Sequence, residues 1–462
     1  MSELARKRKV GADLTEGSVL KSLMLFVFPI ILTNLIQQIY SMVDLMIIGK
    51  FVGNIGTVGV SVGGEISDFL TPFATSFATA GQIYIAQLAG AKRTEEMKKS
   101  IGSFLTLMML MSAGFMVLSI TLCDPILTAL NCAPEAFGQA KAYLIITAVG
   151  LPAIFGYNAV AGVLRGMGES KRPLMFIIIA AVVNIVLDLL LVVVIPMEAA
   201  GTAIATAASQ LASFIAAFIY MYKRREQFDF ELKLSYFKMD AHSVGIILKL
   251  GVPQAVRTIL VRFSMIWVNA NINSYGAVAS GTNGIGNKLQ KFLEIFSQSM
   301  SQAAGAMIGQ NLGAKKHDRA KKTVYYAMFA SLAVAVMIVI IVLIWPHALF
   351  GIFTSDPNVL AMGVDYLNIM IVHFLVSAVI SAYQSMVIGS GNASLNFAIG
   401  ILDGVVCKIG LSLIFVGLVG MGVYGYFWGT AISRVLPMII CMIYFYSSRW
   451  KNARLLDKKR SN

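Results

Sequence analysis

Two carboxylates in this chain stand inside apolar stretches that offer them no water. Asp44 lies in FPIILTNLIQQIYSMVDLMIIG, and Asp188 lies in MFIIIAAVVNIVLDLLLVVV. Tyr40 precedes Asp44 by four residues and Gln37 by two turns, so a helix here sets amide, phenol and acid along one face. Asn34 and Gln38 lie on the same stretch, and Tyr157 and Asn158 add further polar groups in a later one. Asn184 and Asp188 are also four apart, as are Thr202 and Thr206 in the stretch that follows. Carboxylate, amide, phenol and hydroxyl oxygens together make a hard-oxygen site able to hold Na+ or share a proton. A charge at the centre of a bilayer costs about 2.5–3.5 kcal/mol on insertion scales, which makes a working role the default for such residues. The plainer alternative is that Asn184 and Asp188 only bond to neighbouring helices and that the threonines bond back to their own.

Charged groups in the second half differ in kind. Arg257, Arg262, Lys288, Lys291, Glu294, Asp403, Lys408 and Arg434 all fall in apolar stretches there. Their mixed signs point first to internal ion pairs that stiffen the fold. Asp403, with Arg257 and Arg262, is the exception kept as a possible second site. Signals for an enzyme are missing: the four histidines have no ligand spacing, and no nucleophile elbow, Walker lysine or complete dinucleotide fingerprint occurs. No cofactor or resident metal is expected, only a bound ion, H+ or Na+, the latter at Asp44 and Asp188. An ion channel would need a repeated filter-like loop, and none is present.

The elements that must position these residues are membrane helices. Of 462 residues, 57% are apolar and only 13% are charged, about half the charged share of a soluble protein. Twelve stretches long enough to cross a hydrocarbon core occur near 22–48, 55–88, 100–123, 138–163, 174–196, 199–222, 244–272, 279–311, 323–346, 360–388, 395–418 and 422–447. Lys and Arg collect in alternate loops, among them Lys92, Arg93, Lys98 and Lys99, then Lys315, Lys316, Arg319, Lys321 and Lys322, with basic clusters at both ends. The opposite loops hold only Lys50 and Lys141. That asymmetry predicts a multi-pass plasma-membrane protein with both termini cytoplasmic. It also accounts for the net charge of +14 through topology and anionic lipid, so no nucleic-acid partner is expected. No cleaved signal peptide is read at the N-terminus, and the four cysteines are expected to be unpaired, although Cys123 and Cys132 flank one outer loop.

The sequence repeats itself at an offset of 223 or 224 residues. AQLAGAKR, ending the second stretch, returns as GQNLGAKK ending the eighth; Tyr143 meets Tyr366, Gly166 meets Gly389, Gly168 meets Gly391 and Gly201 meets Gly425. The predicted fold is therefore all-α, twelve transmembrane helices in two pseudo-symmetric six-helix lobes. The expected division is 1–222 for the N-lobe, 223–243 for a cytoplasmic linker and 244–462 for the C-lobe with a basic tail.

Span one with its Pro, Gln, Tyr and Asp, the repeated Q-x-x-G-A-K helix ends, LRGMGESKRP, and NIVLD followed by GTAIAT together resemble the multidrug and toxic compound extrusion (MATE) family of cation-coupled exporters. The resemblance covers nearly the whole chain. It implies export of bulky organic cations as H+ or Na+ enters, by alternating access. It assigns cation coupling to Asp44, Asp188, Asn184 and Thr206, and helix bending to Pro29. Gln37, Tyr40, Asn34, Tyr157 and Asn158 are then expected to line the substrate cavity. The NorM branch carries acids in spans seven and ten, where this chain has Arg257 and Arg262, then His373 and Gln384, so the chain is nearer the branch with an N-lobe cation site. Small organic cations and membrane lipid are the expected partners, and a monomer the expected state. The rival on the same fold is a flippase for a lipid-linked or phosphorylated substrate, which would use the basic C-lobe residues.

Overall fold

The computed structural model describes residues 11–225 and 238–452. The basic clusters at 6–9 and 454–460, and residues 226–237 of the expected linker, lie outside the described residues. The described chain is helical and without strands, as lipid demands, because a helix satisfies its own backbone groups where no water can. Among the described residues ten helices are long and apolar enough to cross a membrane. These are α1 (Val19–Phe51), α3 (Thr94–Thr121), α4 (Phe137–Gly166), α5 (Lys171–Val194), α6 (Glu198–Lys223), α7 (Ala241–Asn273), α9 (His317–Ile344), α10 (Pro357–Gly389), α11 (Ala393–Leu418) and α12 (Val423–Tyr446). Two more, α2 (Gly53–Gly90, 38 residues) and α8 (Ala277–Gly313, 37 residues), are long enough but richer in small and polar side chains. These twelve match the twelve apolar stretches, with ends that differ by a few residues in either direction.

Two compact units form. The first contains Phe28–Gly251, and the second contains Leu14–Val27 together with the chain from Val252 onward. In the first, α2 packs along α4 and α4 along α6; in the second, α8 packs along α10, and α10 against α9 and α12. Residues just before α1 dock on the second unit. The Lys316 ammonium donates to the Thr15 carbonyl at 2.9 Å and Arg319 to the carbonyls of Leu14, Glu16 and Gly17.

The sequence repeat is also a repeat of backbone detail. Lys92 and Lys315 both close their helices in the left-handed region, at φ 56° and 59°. The next residue completes the same cap in each copy, Arg93 N–H to the Leu88 carbonyl at 3.1 Å and Lys316 N–H to the Asn311 carbonyl at 2.8 Å. Gly168 and Gly391 share positive φ, 85° and 72°. Close helix approach repeats as well: a Cβ at Gly166 would lie 2.7 Å from the Gln82 carbonyl oxygen, and one at Gly389 would lie 2.8 Å from that of Gly305. Positions 82 and 305 are themselves 223 apart. Even the short helices Cys123–Ala129 and Pro346–Gly351 begin one repeat length apart.

Three stretches within the described spans widen from α to π geometry. α5 ends in a π-helical turn, Leu189–Val194, directly after Asp188. α11 holds two, Leu402–Ile409 around Asp403 and Ile414–Leu418. Widened turns of this kind are frequent at working sites. All four cysteines carry free thiols.

Candidate functional site

In the first unit, α1 and α5 bring Asp44 and Asp188 together, their carboxyl groups side by side. Asp188 is 1% exposed and Asn184 2%. Asp44 Oδ1, both carboxylate oxygens of Asp188 and Asn184 Oδ1 are buried and receive no hydrogen bond. Leaving a single buried acceptor unpaired costs about 1–3 kcal/mol, and more when it is charged. Four such oxygens, with two carboxylates among them, form a cradle that demands positive charge. A proton shared between the two acids, or a monovalent cation between them, meets that demand. Among the described residues no cluster of three His, Cys, Asp or Glu could hold a resident metal.

Around this pair the expected residues sort themselves. Tyr40 lies within electrostatic range of Asp44, and its hydroxyl accepts from Gln210 Nε2 at 3.4 Å. Thr202 bonds back to the Glu198 carbonyl of its own helix at 3.5 Å, the plain role open to any helical threonine. Thr206 is half-buried on the same helix, with its carbonyl taken by Ser209. Asn34 and Gln37 are half-buried on α1. Tyr157 is buried with its hydroxyl on the Pro173 carbonyl at 3.3 Å, and Asn158 donates to the Ile154 carbonyl at 2.8 Å, so both are engaged inside the unit. Pro29 sits inside α1, with the Thr33 hydroxyl donating to its carbonyl at 2.8 Å.

Two residues escaped the sequence reading. Tyr143 of α4 is buried and within electrostatic range of Asp44, Asp68 and Asp188. Its Cβ packs where a side chain at Gly63 would stand, 3.1 Å away. Asp68 is an exposed third carboxylate on α2. Two signals were available: an acid within span two, and the Tyr143–Tyr366 repeat match.

In the second unit the charges pair internally. Glu294 Oε1 meets His373 Nε2 at 2.6 Å and Arg434 at 2.8 Å, and accepts from Gln290 Nε2 at 3.2 Å. Arg434 also reaches Asp403 at 3.6 Å and donates to the Ser377 hydroxyl at 2.8 Å, while the Ser433 hydroxyl donates to Asp403 at 3.3 Å. Arg257 packs its stem against Gly400, and its Nε has no partner. Arg262 is exposed, as are Lys288 and Lys291, so Arg262 does not join Arg257 and Asp403.

The MatE family model matches residues 29–190 and again 253–414, once in each half of the repeat. The chain belongs to the MatE family. As a MATE protein it is a membrane transporter and not an enzyme. It is 27% identical over 97% of its length to 99% of the probable multidrug resistance protein YpnP of Bacillus subtilis (strain 168). It is 24% identical to the multidrug export protein MepA of Staphylococcus haemolyticus (strain JCSC1435), covering 96% of each chain. Its fold superposes with a TM-score of 0.90, at 18% identity, on a multidrug resistance MATE family transporter of the MOP superfamily in an outward-facing conformation. That match covers 97% of this chain and 99% of the other.

Proposed function

We propose that this MATE transporter is a secondary active exporter of bulky organic cations, driven by inward H+ or Na+ through alternating access in the plasma membrane, and that it works as a monomer. The carrying observation is the pair of half-buried Asp44 and buried Asp188, side by side, with Asp44 Oδ1 and both Asp188 oxygens sealed and receiving no hydrogen bond from any other group. Two adjacent carboxylates repel unless a positive charge sits with them. A proton, a Na+ or the cationic end of a substrate supplies it, and the site cannot hold two of these well. That competition couples entry of one to exit of the other. Asn184 and Thr206 add oxygens to the cradle, and Tyr40, Gln37 and Asn34 on α1 carry its influence toward the substrate. Pro29 leaves α1 one backbone bond short, so the helix can change its bend with the charge state of Asp44. An inward charge crossing 100 mV gains about 2.3 kcal/mol, enough for a gradient of more than tenfold. Relatives named as multidrug proteins over nearly their whole length support this reading.

A flippase for a phosphorylated substrate would want free cations around a roomy cavity, but Arg434 is tied to Glu294 and Asp403, and the space beside Lys408 is only about 20 Å³. The deciding experiment is efflux of a fluorescent organic cation from proteoliposomes under a Na+ gradient alone and a pH gradient alone. Wild type is expected to respond to one gradient, and Asp44→Asn to neither while remaining folded. Wild-type efflux from Asp44→Asn would remove the coupling assignment.

A further inference from the structure

A second polar cavity lies wholly within the second unit, lined by Asn269, Asn283, Asn287, Gln290, Lys408 and Thr430 with apolar neighbours. Its free space of about 20 Å³ for water-sized particles is room for one water or one monatomic ion. No carboxylate lines it, and its only charge is Lys408, which is 3% exposed. No hydrogen bond from the Lys408 ammonium is found among the described residues.

Two acceptors on the cavity wall, Asn269 Oδ1 and Gln290 Oε1, are already used, while the side-chain oxygens of Asn283, Asn287 and Thr430 remain among a larger number of donors. Asn269 Oδ1 accepts from Asn283 Nδ2 at 2.8 Å and from Asn287 Nδ2 at 3.1 Å, and Gln290 Oε1 accepts from the Tyr366 hydroxyl at 3.4 Å. That arrangement leaves donors over: the whole Asn269 amide nitrogen, one further hydrogen on each of Asn283 and Asn287, the Thr430 hydroxyl and the Lys408 ammonium. Charge points the same way. Arg257, Lys408 and Arg434 face only Glu294 and Asp403 in the surrounding cluster, and Arg434 binds both acids, leaving a cation in excess. An uncompensated buried cation is strongly disfavoured, so the arrangement calls for a negative partner.

We propose that this cavity binds a small monoanion through Lys408 and the Asn269 amide. The anion is either a free halide or the carboxylate of a zwitterionic substrate reaching in; the cavity is too small for a phosphate headgroup. The site goes beyond the exporter reading, because an anion can bind there whether or not Asp44 couples transport.

The test is thermal unfolding of the purified full chain at fixed Na+ and ionic strength, with chloride replacing the bulkier methanesulfonate. Lys408→Met is compared with wild type, and the double variant Asp403→Asn/Lys408→Met keeps charge balance if the single variant folds poorly. Wild type is expected to show a saturable, chloride-dependent rise in midpoint, absent from both variants. A carboxylate-bearing dye and its methyl ester separate the two sources. If the acid form, and not the ester, shifts the chloride titration tenfold or more, or binds tenfold more weakly to the variants, the substrate carboxylate uses the site. If chloride acts and the acid form does not compete, the anion is a resident halide. If chloride has no effect in wild type beyond that in both variants, and acid and ester bind all three proteins equally, the proposal is overturned.

Discussion

Asp188 has two sealed carboxylate oxygens and a neighbouring acid, an arrangement a structural residue would not keep. Replacing it by Asn removes one negative charge and gives Asp44 an N–H donor. Asp188→Asn is therefore expected to unfold at a higher temperature than wild type in Na+-free neutral buffer, reflecting about 1–3 kcal/mol of relieved burial. Transport should fall at least tenfold. A thermal melt beside a dye-efflux assay checks both; an unfolding midpoint well below wild type would return Asp188 to a structural role. Arg434 predicts the reverse pattern. Arg434→Met leaves Glu294 and Asp403 buried without their common cation, a loss of about 3–5 kcal/mol. The expected outcome is little monodisperse protein after extraction, read by size-exclusion chromatography. The two N-terminal acids were legible in sequence because a carboxylate inside an apolar run has few explanations. That the charges of the second half pair internally was legible too, but the partners within the Glu294–His373–Arg434 network were not, since its members lie 79 and 140 residues apart and pair through packing that no local spacing encodes. Tyr143 was missed for a third reason: an aromatic near a span end reads first as an interfacial anchor.

At the scale of elements, spacing of small residues decides how near two helices come. Gly166 lets α4 rest on the Gln82 carbonyl, and Gly389 lets α10 rest on that of Gly305. A methyl group at either position meets backbone, which cannot rotate away, so the helices must separate. Gly389→Ala is expected to destabilise the second unit by about 1–3 kcal/mol, with Gly166→Ala doing the same to the first. Gly284→Ala, where nothing stands within 4 Å, should be silent, and melting the three variants side by side checks the contrast. The glycine matches were visible in the sequence as an offset, but their reason was not, because the offset does not say which carbonyl each glycine meets. The π-helical turns beside Asp188 and Asp403 were likewise hidden. A widened turn follows from how a helix settles against its neighbours, and LLLVVV by itself reads as ordinary helix.

For the whole molecule, orientation follows from charge and parity. Lys99 of α3 and Lys322 of α9 are exposed and 223 residues apart. Six membrane crossings separate them, an even number, so they must lie on the same side whatever that side is. The excess of Lys and Arg in their loops predicts that this side is cytoplasmic. Cys132 follows the short helix after α3, one crossing away from Lys99, and on that orientation is expected outside; it carries a free thiol and is half-buried, whereas Cys123, Cys407 and Cys441 are buried. A membrane-impermeant maleimide is therefore expected to label Cys132 in intact cells. With Cys132→Ser as background, Lys99→Cys and Lys322→Cys should react only after permeabilisation. Reaction of both in intact cells would invert the topology and with it the direction of transport. Reaction of one and not the other would break the six-helix repeat, because no inversion of the whole chain can separate two positions joined by an even number of crossings.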